Sequence, residues 1–351
     1  MPDLTNNPQK ENVPDIILHL KTKDTKRDFR GLHLQFYKVL RAITEKHGIN
    51  LNVRARDADI GVGTRAINDD RFNDGNLHII DDRSVIAANV LNSSVAYFWK
   101  YWHLDGQGTK AFSSIGNEHY KTEMMSYRRA RIFFEKMRFR YVEKRRSKYA
   151  QPTGFQQFPG GSVSVFFQGQ YPISAGTTKF MNIKMLKTVP QEVGDRPIIV
   201  KPRLKASSPE DKEKAKDIAS RDDRVVIVDA NVHDILASSA ATVSINSTVA
   251  LEGFLHYVPA ILFGKSDFKH FASTVTEKRS FKDALDQELQ RADCYEQYFA
   301  WYFLKNCIPL NSGRLEERIW KSYQAPVFLQ NASPKAKSQR RNKVQCAIEH
   351  G

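Results

Sequence analysis

The sequence predicts an α/β protein of two domains. Two short apolar runs at 225–228 (VVIV) and 242–245 (TVSI) alternate with helix-like segments, and a third, 260–263, follows Pro259. That is the rhythm of a parallel sheet with crossover helices. A length of 351 residues suits two domains, each able to bury its own core. A chain 41% hydrophobic and 26% charged is folded rather than disordered.

In chain order, residues 1 to about 14 form a loose leader, and 15–20 (DIILHL) a first strand. Apolar spacing through Leu32, Phe36, Val39, Leu40 and Ile43 predicts a helix over 32–47, ending near Gly48. INLNVRARD and LHIIDD read as further strands with a polar loop between them. Gly61 and Gly63 in that loop lack the third glycine of a dinucleotide fingerprint and are turn residues. Tyr97, Phe98, Trp99, Tyr101 and Trp102 cluster densely, as core or as a surface for stacking sugar, with core the commoner use of such rings.

Residues 120–149 predict one long basic helix. Met125, Ile132, Phe133, Phe139 and Val142 would form its buried stripe, with Arg128, Arg129, Arg138, Arg145 and Arg146 exposed. Its plainest role is a solvated bridge between domains, and its charge also suits an anionic bilayer or a nucleic-acid backbone. Turn formers at 151–161 predict a linker. The domains then run 1–150 and 151–320, with a C-terminal segment, 321–351, carrying a basic tail.

The second half alternates strand (163–167), helix (179–189), strand (197–201) and helix (209–220) before the run that begins at 225. Asn231 is placed to cap the first helix there, and Asn246 or Ser247 the second. The turn after Ile245 sets Asn246, Ser247 and Thr248 at a strand's carboxyl end, where open α/β sheets bind anionic ligands. Glu252, four residues after Thr248, shares its helix face. A hydroxyl suited to phosphate thus sits beside a carboxylate suited to sugar hydroxyls, the shape of a nucleotide-sugar site. A solvated Glu and an ordinary cap are the plain alternative.

No apolar run approaches the roughly 20 residues that cross a bilayer. The amino terminus lacks a secretory core, so a cytoplasmic protein is expected. Cys294, Cys307 and Cys346 are too few and scattered for a disulfide framework or a cysteine-based zinc site. A net charge of +15 implies an anionic partner: sugar nucleotide, phospholipid headgroups or nucleic acid. No nucleic-acid motif accompanies the charge, so nucleic acid ranks last.

Residues 160–275 resemble the C-terminal half of the capsule polysaccharide biosynthesis family, which includes bacterial Kdo transferases of GT-B architecture. The matching positions are Asn246, Ser247, Thr248, Glu252, His256, Pro259 and Gly264. PIIVKPRL at 197–204 is similar to the family's strand ending in K-P-H-P, and VFFQGQ at 165–170 to the strand ending in Gln. Further upstream, Asp105, Gly108, Ser113 and Ser114 match a family turn.

The resemblance implies two Rossmann-like domains facing a cleft, the first on the acceptor side and the second holding the donor. It implies a glycosyltransferase of surface or capsular polysaccharide, using a nucleotide sugar, CMP-Kdo among the candidates, and a glycan or glycolipid acceptor. Gln170, Lys201, Arg203, Asn246, Ser247, Thr248 and Glu252 would bind the donor, with no cofactor and no metal. The second half carries no Asp-x-Asp motif. His103 and Asp105 are the candidate general bases, although Asp105 equally suits a turn-stabilising role. An anionic membrane at the inner face is the expected surface partner. Arg203 and Leu204 replace the family's His-Pro pair, and residues 171–174 lack its acidic position. These departures keep open a non-catalytic polysaccharide-binding or assembly protein of the same fold.

Overall fold

The computed structural model describes residues 14–67, 70–203, 207–292 and 294–330, with side chains through 323. The leader up to residue 13, Leu204, Cys346 and the basic tail lie outside those residues.

The first sheet takes β1 (Ile16–Leu20), β2 (Leu51–Ala55), β3 (Leu77–Asp81), β4 (Val90–Val95) and β5 (Tyr101–Asp105), with helices α1 (Thr22–Thr25) and α2 (Gln35–Lys46) in the first crossover. Helix α3 (Tyr127–Arg138) leads to the second sheet: β6 (Ser162–Phe166), β7 (Ile198–Lys201), β8 (Val225–Ile227), β9 (Ser239–Ser244), β10 (Ala260–Leu262) and β11 (Ser273–Thr274). Its crossovers hold α4 (Tyr171–Ser174), α5 (Asn182–Glu192), α6 (Pro209–Ala219), α7 (Val232–Ser238) and α8 (Val249–Phe254). Then come α9 (Phe281–Leu289), α10 (Tyr295–Ala300), a short β12 (Ile308–Pro309) and α11 (Leu315–Gln330).

Strand order is β12-β5-β4-β3-β1-β2 in one sheet and β11-β10-β9-β6-β7-β8 in the other. The second sheet is parallel throughout, and the first is parallel from β4 to β2 with antiparallel β5 and β12 at its other edge. Every residue of β3, β4 and β6 is buried, as strands covered on both faces require, whereas the edge strand β2 is largely exposed. Each sheet reverses its winding once, between β1 and β3 and between β6 and β9.

Short of residue 320 the chain returns to the first sheet. Ile308 pairs with Trp102 and Pro309 with Tyr101, and α11 then lays Ile319 and Tyr323 on the first domain's core. β5 would otherwise expose an unpaired edge, and β12 covers it.

The expected long helix is shorter than its sequence pattern. Helix α3 starts at Tyr127 and passes into a wide π-helical turn, Phe139–Glu143. Ala130, Phe133, Phe134, Met137 and Tyr141 are its buried residues, and Ile132 and Phe139 stay about half exposed. Of the predicted stripe, Phe133 is buried and Met125 and Val142 pack against the core, whereas Ile132 and Phe139 face outward; α10 meets the Ala130–Phe134 side. Phe98, Tyr101, Phe133, Phe254, Tyr298 and Phe299 join one aromatic core spanning both domains. The cluster at 97–102 is therefore packing, not a sugar platform, apart from the edge of Tyr97 that reaches the cleft.

Candidate functional site

The two winding reversals are where an open α/β sheet leaves a crevice at its carboxyl edge. Both crevices are bridged by side chains. In the first domain Lys21, after β1, lies 3.1 Å from the Asp82 carboxylate, after β3, and Lys110 meets the same carboxylate at 2.8 Å. Asp82 sits at φ +52°, a left-handed conformation that Asp and Asn tolerate better than most residues. Burial pushes its carboxyl up, but Lys110 and Lys21 outweigh it and hold the group well below the usual range.

In the second domain Gln168, after β6, meets Asn246, after β9. The Asn246 N–H donates to Gln168 Oε1 at 2.7 Å, and Gln168 Nε2 donates to Asn246 Oδ1 at 3.1 Å. Asn246 Nδ2 also donates to Thr177 Oγ1 and the Lys265 carbonyl, 3.0 Å each. Gly264 makes this closeness feasible, because a Cβ there would stand 2.8 Å from Ile245 Cγ2.

Between the two edges lies a cleft of about 670 Å³, within the roughly 300–1,000 Å³ typical of small-molecule sites. The first domain contributes Asp82, Lys110 and Phe112, and the second contributes Lys201, Arg203, Ser247, Thr248 and Glu252. The third wall is residues 147–152, the chain crossing between domains. That crossing is anchored rather than slack. Arg145 pairs with buried Asp234 at 2.7 Å, Asn231 Nδ2 donates to the Arg145 and Pro152 carbonyls, and Ser147 Oγ donates to Glu252 at 2.5 Å. His233 Nε2–H donates to the Arg146 carbonyl at 2.7 Å, which leaves its Nδ1 to accept from His256 at 3.0 Å.

Four cations, Lys110, Lys148, Lys201 and Arg203, line the cleft together with three carboxylates, Asp82, Asp229 and Glu252, and several cations in and near it sit on rings. Arg203 stacks over Tyr149 at 4.3 Å, Lys110 faces Tyr171, Lys148 faces Trp99, and Arg65 and Lys265 both approach Phe112. Burial, then the charges of Lys110 and Arg203, bring Lys148 down to about 7. Burial raises Glu252 to about 7.

Lys201, Arg203, Asn246, Ser247, Thr248 and Glu252 all line this one cleft. Ser247 and Thr248 are half-buried and open to it rather than covered. Among the described residues, the Thr248 hydroxyl carries no hydrogen bond within the protein, whereas Ser247 Oγ accepts from the Val249 N–H. Two assignments change. Asn246 spends its side chain holding the turn, and Glu252 faces the crossing segment through Ser147. Lys201 is paired with Asp229 at 3.2 Å.

Three predicted residues lie elsewhere. Gln170 is exposed, two residues beyond Gln168, which does the bridging; the repeated Gln in VFFQGQ leaves the register open in sequence. His103 is buried on β5, its Nε2 without a hydrogen bond and 3.7 Å from buried Asp267, and burial drives the ring down to about 3. Asp105 accepts from the Gln107, Gly108 and Ser114 N–H groups and from Ser114 Oγ, which makes it a turn-holding carboxylate outside the cleft wall. Gly63, read as a turn residue, permits close approach: a Cβ would lie 2.8 Å from the Ser174 carbonyl of the other domain.

Asp82, Lys110, Lys148 and Gln168 are absent from the sequence-predicted site. Asp82 ends the predicted strand LHIIDD, so its place at a carboxyl edge was a usable signal. Lys148 had none, standing in a run of like charges.

No family model matches the chain, and no curated protein matches it. Solved structures similar to it include Thermosulfurimonas dismutans KpsC, beta Kdo 2,7 transferase, at 12% identity over 82% of this chain and 89% of that one, TM-score 0.48. The beta Kdo 2,4 transferase of the same KpsC superposes over the same shares at 11% identity and TM-score 0.43. Methanocaldococcus jannaschii UDP-GlcNAc 2-epimerase, in complex with UDP-GlcNAc and UDP, gives 12% identity, 88% and 98% coverage and TM-score 0.33. The architecture is two Rossmann-like domains facing a cleft. Likeness at this level describes the course of the chain, and chemistry must come from the cleft's own residues.

Proposed function

We propose that this protein is a glycosyltransferase of surface or capsular polysaccharide synthesis that takes a nucleotide-sugar donor, CMP-Kdo among the candidates. The observation that carries this is one cleft at both winding reversals, lined by cations, a free Thr248 hydroxyl and an ionised Asp82. In this reading Thr248, Ser247 and Arg203 hold the donor phosphate from the second domain. Fixed cations supply the charge the departing phosphate needs, so the reading calls for no metal. Helix α8 is only 6 residues long, so side chains rather than its dipole carry the binding.

The acceptor would lie against the first domain. Asp82 is its cleft carboxylate; Lys21 and Lys110 hold both of its oxygens and keep it ionised, so in this reading it orients the acceptor hydroxyl rather than taking the proton-accepting role first assigned to Asp105 and His103. Asp82→Asn keeps the backbone conformation and removes the charge. A glycolipid acceptor fits the exposed outer side of α3, where Tyr127, Ile132 and Phe139 stand among Arg128, Arg129 and Arg131, a composition suited to an anionic bilayer.

A second reading, a glycan-binding or assembly protein of the same fold, is favoured by the occupied carboxylates of Asp105 and Glu252. Thermal denaturation with CMP, UDP and their sugars tests both. A nucleotide-dependent rise in melting temperature, lost in Thr248→Ala combined with Arg203→Ala, supports the donor site; no rise with any of them refutes it. Binding without turnover selects the second reading.

A further inference from the structure

Of the four cations that line the cleft, two have a carboxylate: Lys110 has Asp82 at 2.8 Å and Lys201 has Asp229 at 3.2 Å, while Arg145 on the crossing segment has Asp234 at 2.7 Å. Lys148 and Arg203 are different. Both line the cleft, and among the described residues neither side chain has an ion pair or a hydrogen bond. Each instead rests against a ring, Lys148 on Trp99 at 5.3 Å and Arg203 on Tyr149 at 4.3 Å. An unpaired ammonium in a half-buried position is costly to leave charged, and its neighbour is another cation.

We propose that Lys148 and Arg203 form an oxyanion subsite, built from the crossing segment and the turn after β7, which takes the phosphate or carboxylate of a cleft ligand and draws in a proton as it fills. This rests on the reading of the cleft as a nucleotide-sugar site and adds which residues meet the charge. The groups facing Lys148 are Lys110 after β5, Arg203 after β7, Asp82 after β3 and Glu252 on α8, with buried His103 on β5 also within reach of its charge. Two cations lower it and two carboxylates raise it, and burial adds to the lowering. Burial, the largest cause, brings the ammonium down to about 7, so near neutral pH the neutral amine and the charged form coexist. An arriving oxyanion reverses the balance, because it favours the charged amine and masks Arg203. Binding and protonation are therefore linked, and affinity for the anion declines from pH 6 to pH 8.

The test is titration calorimetry of the full chain with inorganic pyrophosphate and with D-glucuronate, each in two buffers of different ionisation enthalpy, which counts protons. At pH 7.5 the wild type should take up most of a proton. Lys148→Met should bind at least about tenfold more weakly, the scale of one lost charged hydrogen bond. Lys148→Arg, always charged, should keep affinity and lose at least half of the uptake, the remainder belonging to Glu252. Lys144→Met removes a cation outside the cleft and should bind as the wild type.

Binding of pyrophosphate alone assigns the subsite to a phosphate, of glucuronate alone to a sugar carboxylate. Unchanged affinity in Lys148→Met, full uptake in Lys148→Arg, or binding of neither probe overturns the proposal. Lys148-dependent pyrophosphate binding that neither CMP nor UDP displaces keeps the subsite and sinks the nucleotide reading. Nucleotide binding indifferent to Lys148 does the reverse.

Discussion

Replacing Asp267 with Asn should change how stability depends on pH. Asp267 is fully buried where the domains meet, accepting from Tyr97 at 2.6 Å and Ser113 at 2.9 Å on one side and from Tyr302 at 2.6 Å on the other. Burial raises its carboxyl from 3.8 to about 7, against the opposing pull of those hydroxyls. The native state thus binds the proton more tightly than the unfolded chain. Its contribution is complete below about pH 4 and is lost as pH rises through 7. The full shift is worth roughly 4 kcal/mol, of which roughly 3 falls between pH 4.5 and 8. Asn is isosteric and uncharged, and the three hydroxyls can turn to suit it. The melting temperature of the wild type relative to Asp267→Asn should therefore decline by on the order of 5 °C across that range. Asp81 and Glu252 are raised in the same sense but are common to both proteins, so they cancel. Parallel curves for the two proteins would refute the assignment.

Three other substitutions probe the cleft and its supports. Gln168→Ala strands the Asn246 N–H and its side-chain Oδ1, should cost roughly 2–3 kcal/mol and should erase any nucleotide-dependent rise in melting temperature, whereas Gln170→Ala should stay within about 0.5 kcal/mol. Asp105→Asn should cost about 1–2 kcal/mol in denaturant unfolding while ligand affinity by calorimetry is unchanged; weaker binding at full stability would return Asp105 to the reaction. Asp234→Ala leaves Arg145 unpaired and frees the Gln156 N–H, so it should cost roughly 2–4 kcal/mol and open residues 145–156 to limited proteolysis.

The chain itself determined the alternation of strands and helices in the second half. Val165, Ile199, Val243 and Ile261 must be buried from both faces, and Asn231 does cap α7, accepting from the His233 N–H at 3.0 Å. The N-S-T turn and its Glu at i+4 were legible because one helical turn sets that spacing whatever surrounds it. What only the tertiary structure decided depends on contacts across long stretches of chain. Asp82 and Lys110 are 28 residues apart, Gln168 and Asn246 78, and Ser147 and Glu252 105. No local pattern encodes such pairings, so Gln168 was indistinguishable from Gln170 and Lys148 from its basic neighbours. The same holds for Asp105 and His103: a carboxylate four hydrogen bonds deep in a turn and an imidazole sealed in a core have the same letters as a catalytic pair, and only burial separates them.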